Sequence, residues 1–220
     1  MSETPQRSYG GQSAEARRLH RRARLLDAAL DAMDGNGWRT ITVDKLCAAA
    51  GLNKRYFYES FASLDEVATS AVDDIADEVR TTTLAAVAGA AAEPLEQQAF
   101  VAVDALVRTL IRDPRRARVL LGSVSSSAAV QQHRDNVLRG LTGVLVGHAR
   151  TVHDVELEKD PLALVAPAFI IGGTADAILA FVNGATDVSV GDLVASLATL
   201  WLVTGNGAAE VARARLDTSS

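Results

Sequence analysis

The chain has 220 residues, 48% hydrophobic and 22% charged, an ordinary globular balance that suits a small domain joined to a medium one. Its single cysteine, Cys47, excludes an intrachain disulfide or a cysteine-rich metal site, and no metal or cofactor is expected. The net charge of −5 argues against a polyanionic partner until it is divided: residues 1–61 hold ten Lys/Arg against seven Asp/Glu, and the remainder twelve against twenty, a basic head on an acidic body.

In chain order, residues 1–13 are rich in Ser, Gly, Gln and Pro and read as a disordered arm. They contain no apolar segment of the kind that directs secretion, so the expected location is the cytoplasm. A first helix opens near Ala14. Leu19, Ala23, Leu26, Leu30 and Met33 form one stripe of 3.6-residue period, with Arg17, Arg18, Arg21, Arg22 and Arg24 opposite. Gly35-Asn36-Gly37 is its stop.

Thr42 is placed to cap a two-turn helix with Val43, Leu46, Cys47 and Ala50 inward, and Gly51 ends it. On that inward stripe Cys47 is expected to be a small core residue. Asn53 caps a second short helix through Tyr56-Phe57-Tyr58, closing near Phe61. Ser63-Leu64-Asp65-Glu66 is a capping box that opens a longer helix over 64–82, with Leu64, Val67, Ala68, Ala71, Ile75 and Val79 inward.

Further helices are expected at about 95–112, 114–122, 127–153, 161–183 and 190–204, with Asp113-Pro114 and Asp160-Pro161 as starts and Asn183-Gly184 and Gly205 as stops. The longest apolar stretch, Leu162 to Ala175, is shorter than the ~20 residues a membrane span needs. No alternating strand pattern occurs. The expected class is all-α with about nine helices, divided as an arm (1–13), a helix-turn-helix domain (14–62), a ligand-binding and dimerisation domain (63–205) and a C-terminal tail (206–220).

Two short helices joined at Gly51, with a basic helix before them, make a helix-turn-helix. The first would brace across a DNA backbone, its N-terminal amides and the Thr42 hydroxyl aimed at phosphate. The second would enter the major groove. With Phe57 in the core, Arg55, Tyr56 and Glu59 point away from it, flanked by Lys54 and Tyr58. Arginine can give two donors to guanine O6/N7. Glu59 would repel phosphate unless it accepts from cytosine N4 or pairs with Arg55.

The run Thr42-Val43-x-x-Leu46-x-x-x-Ala50-Gly51-Leu52-Asn53-Lys54-Arg55-Tyr56-Phe57-Tyr58-x-x-Phe61-x-Ser63-Leu64-Asp65-Glu66-Val67 resembles the DNA-binding domain of the tetracycline-repressor (TetR) family over about residues 17–70. The resemblance implies a three-helix DNA-binding domain, a connecting helix, and a regulatory domain that dimerises through its last two helices. It also implies DNA contact by Thr42, Lys54, Arg55, Tyr56 and Tyr58. Asn53, at the start of the same helix, and Arg22 of the basic first helix complete the expected DNA-facing set. Three positions depart from the pattern. Arg55 and Tyr56 stand where small residues and Thr or Ser are common, and Leu64 stands where a lysine is common.

In the second half, Gly173, Ala177 and Ala180 would let another helix approach closely, and helix 190–204 is apolar on more than one face. Gly173, Ala177, Ala180, Leu197, Leu200 and Trp201 are therefore the expected homodimer interface. Phe100 and Phe169 could line an apolar ligand cavity, with Asp104, Arg108, His133 or Asp176 as polar anchors. Few aromatics favour an aliphatic or small effector. The four histidines form no zinc pair, and no phosphate loop or nucleophile elbow occurs, so no enzyme activity is expected. The expected function is a dimeric repressor that binds a palindromic operator in double-stranded DNA and is released by a small-molecule inducer, with a helical protein-binding adaptor as the alternative.

Overall fold

A buried face on the first helix organises the head. In the computed structural model, which describes residues 14–122, 127–152 and 159–218, helix α1 (Ala14–Asp34) buries Leu25, Leu26, Ala28, Ala29 and Met33. Leu19 and Ala23, expected on the inward stripe, are exposed, because packing against the later helices begins only at Leu25. Gly35 is extended (φ −93°, ψ −172°), so α1 ends without a left-handed cap. A short 3-10 helix (Asn36–Thr40) follows and turns Trp38 into the head core, a feature the helical periodicity did not disclose.

Helices α2 (Val43–Ala50) and α3 (Lys54–Tyr58) complete the head. Leu46, Cys47 and Ala50 are buried as expected, and Phe57 is wholly enclosed. Helix α4 (Leu64–Gly89) leaves the head and runs into the body. Ser63 Oγ accepts from the Glu66 amide (3.1 Å), while the Glu66 carboxylate accepts from the Ala62 amide (2.5 Å), a capping box shifted by one residue. The inward stripe of α4 gains Val72 and Ala76 over the expected set and extends through Val79.

The body consists of α5 (Leu95–Ile111), α6 (Pro114–Leu121), α7 (Ala128–Val152), α8 (Leu162–Val182) and α9 (Val190–Thr218). Asp113 accepts from the Arg115 amide and Asp160 from the Leu162 amide, so both Asp-Pro starts act as caps. Helix α5 packs on α4 and α9, α8 lies along α9, and α6 is wedged between α1 and α8. Among the described residues there are nine α-helices and no strand; the fold is all-α.

Two expectations are corrected here. Gly205 does not stop α9: the helix runs through Gly205 and Gly207 to Thr218, because Ala209 and Ala212 are buried with Leu216 against them. Residues 206–218 are therefore helix, not tail. The apolar part of α8 is also longer than read: Val165–Val182 has a mean hydropathy of 1.9 and is long and apolar enough, by length and composition alone, to cross a membrane. Gly184, at φ +68°, ends α8 as expected. The 1–13 arm lies outside the described residues.

Candidate nucleic-acid interface and ligand cavity

The turn between α2 and α3 depends on one backbone conformation. Gly51 sits at φ +60°, ψ +39°, its amide donating to Ala48 O and that of Leu52 to Cys47 O (2.8 Å). This left-handed region is costly for residues with a Cβ. A Cβ there would also lie 2.5 Å from the Arg24 guanidinium, which covers the turn. Thr42 Oγ1 accepts from the Lys45 amide (3.2 Å) and Asn53 Oδ1 from the Tyr56 amide (3.2 Å), so both short helices are capped as expected. Thr42 and Asn53 are exposed beside the ends they cap.

Phe57, with Tyr58 edge-on at 5.1 Å and Phe61 at 6.2 Å, fixes the rotation of α3. Its opposite rim faces outward: Arg55 is 83% exposed, Lys54 and Tyr58 are exposed, and Tyr56 is half-buried. Glu59 accepts from Arg55 Nε at 3.0 Å and pairs with Arg21 at 3.5 Å. The expected pairing of Glu59 with Arg55 is thus present. The Arg21 guanidinium also stacks 4.3 Å from the Tyr56 ring centre, which holds that ring against the head. Lys54 Nζ pairs with Asp44 at 2.8 Å, and this hydrogen bond raises the lysine pKa above its ordinary value.

Arg22 is directed elsewhere. It pairs with Asp74 of α4 (3.4 Å) and lies 5.0 Å over the Phe61 ring, bracing head to connector. The basic residue of α1 that reaches the α3 rim is Arg21, one residue earlier. A finer reading of the 100° step around α1 could have distinguished them.

Head and body are also joined by ion pairs through α6. Arg115 reaches Asp27 (2.9 Å) and Asp31 (2.6 Å) of α1 together with Asp113. Those hydrogen bonds, that of Asp113 foremost, raise the Arg115 pKa beyond its already high value. Arg118 donates to Asp34 of α1, and from its other nitrogens to Asn183 (2.9 Å) and Val182 O (3.1 Å) beyond and at the end of α8. Glu78 of α4 receives Arg112 (2.6 Å) and Arg116 (2.5 Å).

Inside the body, α4 to α9 line a half-open cavity of about 130 Å³ whose wall includes Val79, Thr83, Leu106, Leu138, Ile171 and Trp201. None of the six expected ligand residues lines it. On α5 the wall is made by Ala102, Leu106 and Leu110, whereas Phe100, Asp104 and Arg108 follow the opposite face, Asp104 pairing with Arg108 at 2.6 Å. On α8 the wall is Ile171, Thr174, Ala175 and Ile178, and Phe169 and Asp176 point outward. His133 is drawn to Asp73 of α4 (2.7 Å). The cavity thus lies one helix face away from the expected residues of α5 and α8.

The outward face of α8 and α9 is mostly apolar, with Asp176 as a charged member. Phe169 is 68%, Val203 65% and Leu200 57% exposed, with Val165 beside them in kind and Gly173 open to solvent. Ala177 and Ala180 are half-buried. Leu197 and Trp201 do not belong to this face. Leu197 is only 4% exposed, and Trp201 Nε1 donates to Thr174 Oγ1 (2.8 Å) within the subunit, since both lie on the side of α9 turned to α5 and α8.

No family model and no curated protein matches the sequence. Solved structures do match the fold. The fatty acid degradation regulator FadR from Bacillus halodurans is 19% identical, with 83% of this chain and 94% of that one covered and a TM-score of 0.63. FadR from Bacillus subtilis, in complex with stearoyl-CoA, is 17% identical over 83% and 98%, with a TM-score of 0.62. A TetR-family transcriptional regulator from Streptomyces coelicolor is 18% identical over 92% and 96%, also at 0.62. The likeness spans head and body alike.

Proposed function

We propose that this chain, which has the fold of TetR-family transcriptional regulators, is itself a member of that family: a homodimeric operator-binding repressor released by a small-molecule inducer. The single observation that carries the reading is the rim of α3, where Arg55, Lys54 and Tyr58 are held outward by the buried Phe57. Arg55 reads base edges, Lys54, Tyr58, Thr42 and the amide at Asn53 meet phosphates, and Tyr56 packs at the groove wall. Arg22 acts on DNA through the position of the head, which its pair with Asp74 fixes.

The second copy covers Phe169, Gly173, Leu200 and Val203. Burying such a face explains the composition of α8 better than a lipid bilayer does, since the helix also packs on α9 and α6 and carries Asp176 outward. Two copies would present their α3 rims to successive major grooves, roughly 34–36 Å apart for half-sites one turn apart. Ligand in the cavity favours a state in which α6, held to Asp27, Asp31 and Asp34, sets the head differently, and operator affinity falls by the ligand's preference between the states. The reading assigns no catalytic step and a cytoplasmic location.

A protein-binding adaptor is favoured by one observation: Glu59 and Asp44 already neutralise Arg55 and Lys54. Fluorescence anisotropy with duplexes from beside the gene separates the two. A repressor gives tight binding to a near-palindrome that weakens steeply with salt; an adaptor gives weak, sequence-blind association. Sequence-blind binding to every duplex tried would overturn the repressor.

A further inference from the structure

Helix α1 begins three turns before its buried face does. Leu25 is its first buried residue, and none of residues 14–24 is buried. That segment carries Arg17, Arg18, Arg21, Arg22 and Arg24 against the single carboxylate of Glu15, a local charge of +4 in a chain of −5. Arginines three and four apart are neighbours on a helix and repel one another, so the run opposes the segment it stands on. A polyanion laid along it relieves that repulsion. The five arginines divide into two rows. Arg18 and Arg22, four apart, follow the side turned to α4, where Arg22 meets Asp74 (3.4 Å) and the Phe61 ring (5.0 Å). Arg17, Arg21 and Arg24, at steps of four and three, follow the side turned to the helix-turn-helix. Arg24 covers the Gly51 turn, and Arg21 lies 4.3 Å from the Tyr56 ring centre and 3.5 Å from Glu59. Arg17 stands one turn before Arg21, about 6 Å farther along the axis and away from Arg24. Arg17 and Arg24 are both exposed.

We propose that this second row is a phosphate grip: with α3 in the major groove, Arg17 and Arg24 meet phosphates of the strand that borders it, outside the base pairs that Arg55 reads. The inference rests on the reading of α3 as the groove helix, because the row lies against α3 and is placed by it. Arg21, stacked on Tyr56 and paired with Glu59, holds α1 to the recognition helix, so base reader and phosphate grip move together. A guanidinium offers phosphate two parallel donors, and such contacts add affinity and register without sequence information. An anionic membrane surface would need an apolar face beside the charge, and Leu19 is the only large apolar side chain on this segment. Duplex DNA is therefore the occupant that the charge and its position beside α3 fit.

The test is fluorescence anisotropy of the full-length protein from about 50 to about 200 mM salt, with a labelled duplex from beside the gene and a scrambled duplex of the same composition. Arg17→Ala and Arg24→Ala are each expected to lower the slope of log K against log salt by about one. Both duplexes should weaken by the same factor, so their ratio stays that of the parent. Arg17→Lys should keep the slope, and Arg213→Ala, at an exposed position of α9, should leave binding unchanged. Neutral methylphosphonates placed singly along the duplex should weaken the parent at a bordering phosphate and leave Arg17→Ala unaffected there, a coupling that a merely unfolded variant would not show. Unchanged slopes in both alanine variants overturn the grip. A changed ratio between the duplexes overturns it too, since the row would then be reading bases. Binding of phosphatidylglycerol vesicles or of the single strand as tightly as the duplex overturns DNA as the occupant. Slopes that fall as expected in a protein that prefers neither duplex would remove the repressor reading and leave the grip standing.

Discussion

Arg55 Nε donates to Glu59 Oε1 across 3.0 Å on the outer surface of α3, so the one arginine placed to read bases is steered by a carboxylate one turn on. Exposed pairs of this kind contribute only ~0.3–0.5 kcal/mol, which a guanine edge can outbid. Replacing Arg55 with Ala is expected to relax base preference at one position of each half-site by about 1–3 kcal/mol. Replacing Glu59 with Gln removes a negative charge from the surface that would meet phosphate, and should strengthen binding to every duplex by a similar factor. Competition binding against a set of single-base-pair operator variants measures both. An unchanged profile for Arg55→Ala would take base reading away from this residue.

Gly51→Ala tests the turn. At φ +60° an alanine adopts the left-handed conformation at a cost of about 1–2 kcal/mol, and the Arg24 guanidinium must also withdraw. Urea unfolding is expected to show a loss of that order, with specific DNA binding weakened further because α3 is re-aimed. A variant as stable as the parent would mean that the turn is free to take another conformation.

Head and body differed in how far they could be read from residue order. The caps Thr42, Asn53 and Ser63, the left-handed Gly51 and the buried Phe57 follow from residue types that impose geometry within a few positions, and each is found where it was expected. The cavity is built by six helices far apart in sequence, and a phase error of a third of a turn moves a residue from wall to surface. That is why Phe100, Asp104 and Arg108, expected inward, lie on the face of α5 turned away from the cavity. Trp38 was missed for a related reason: a five-residue 3-10 helix is too short to show a period. Gly205 misled because glycine stops a helix only where the chain has something better to do, and Ala209, Ala212 and Leu216 give it reason to continue.

The outward face of α8 and α9 yields a further expectation. Val203→Glu and Phe169→Glu place charges where the proposed second copy would bury them, with no counter-charge on the apolar face. Light scattering behind gel filtration should report a shift from dimer toward monomer, and operator binding should fall steeply because single heads lose the gain of joint binding. Leu197→Ala acts otherwise: the residue is inside the subunit, so it should cost about 2–5 kcal/mol of stability. A dimer that tolerates both glutamates would place the interface elsewhere.

Acid should weaken the α6 clamp. The Glu78 pKa is held below the ordinary glutamate value, chiefly by the Arg112 hydrogen bond and further by Arg116, with burial opposing. The Asp113 pKa is lowered in the same way by Arg115. Because the folded values lie below the unfolded ones, the stabilisation is present in full above the ordinary carboxylate range near ~4. It is lost as pH falls from there through the folded values. Urea unfolding followed from pH 7 to pH 3 is therefore expected to show stability dropping below about pH 4.5, with a shallower drop in Glu78→Gln. That variant has no proton to take up at this position, so its slope should be reduced by up to one proton. The same variant frees Arg112 and Arg116 from α4 and so loosens the seat of α6, whose own Arg115 holds Asp27 and Asp31 of α1. Its head should consequently exchange amide hydrogens faster along the C-terminal half of α1 at neutral pH. Parallel acid slopes in the two proteins, with unchanged exchange in α1, would show that Glu78 does not hold the clamp.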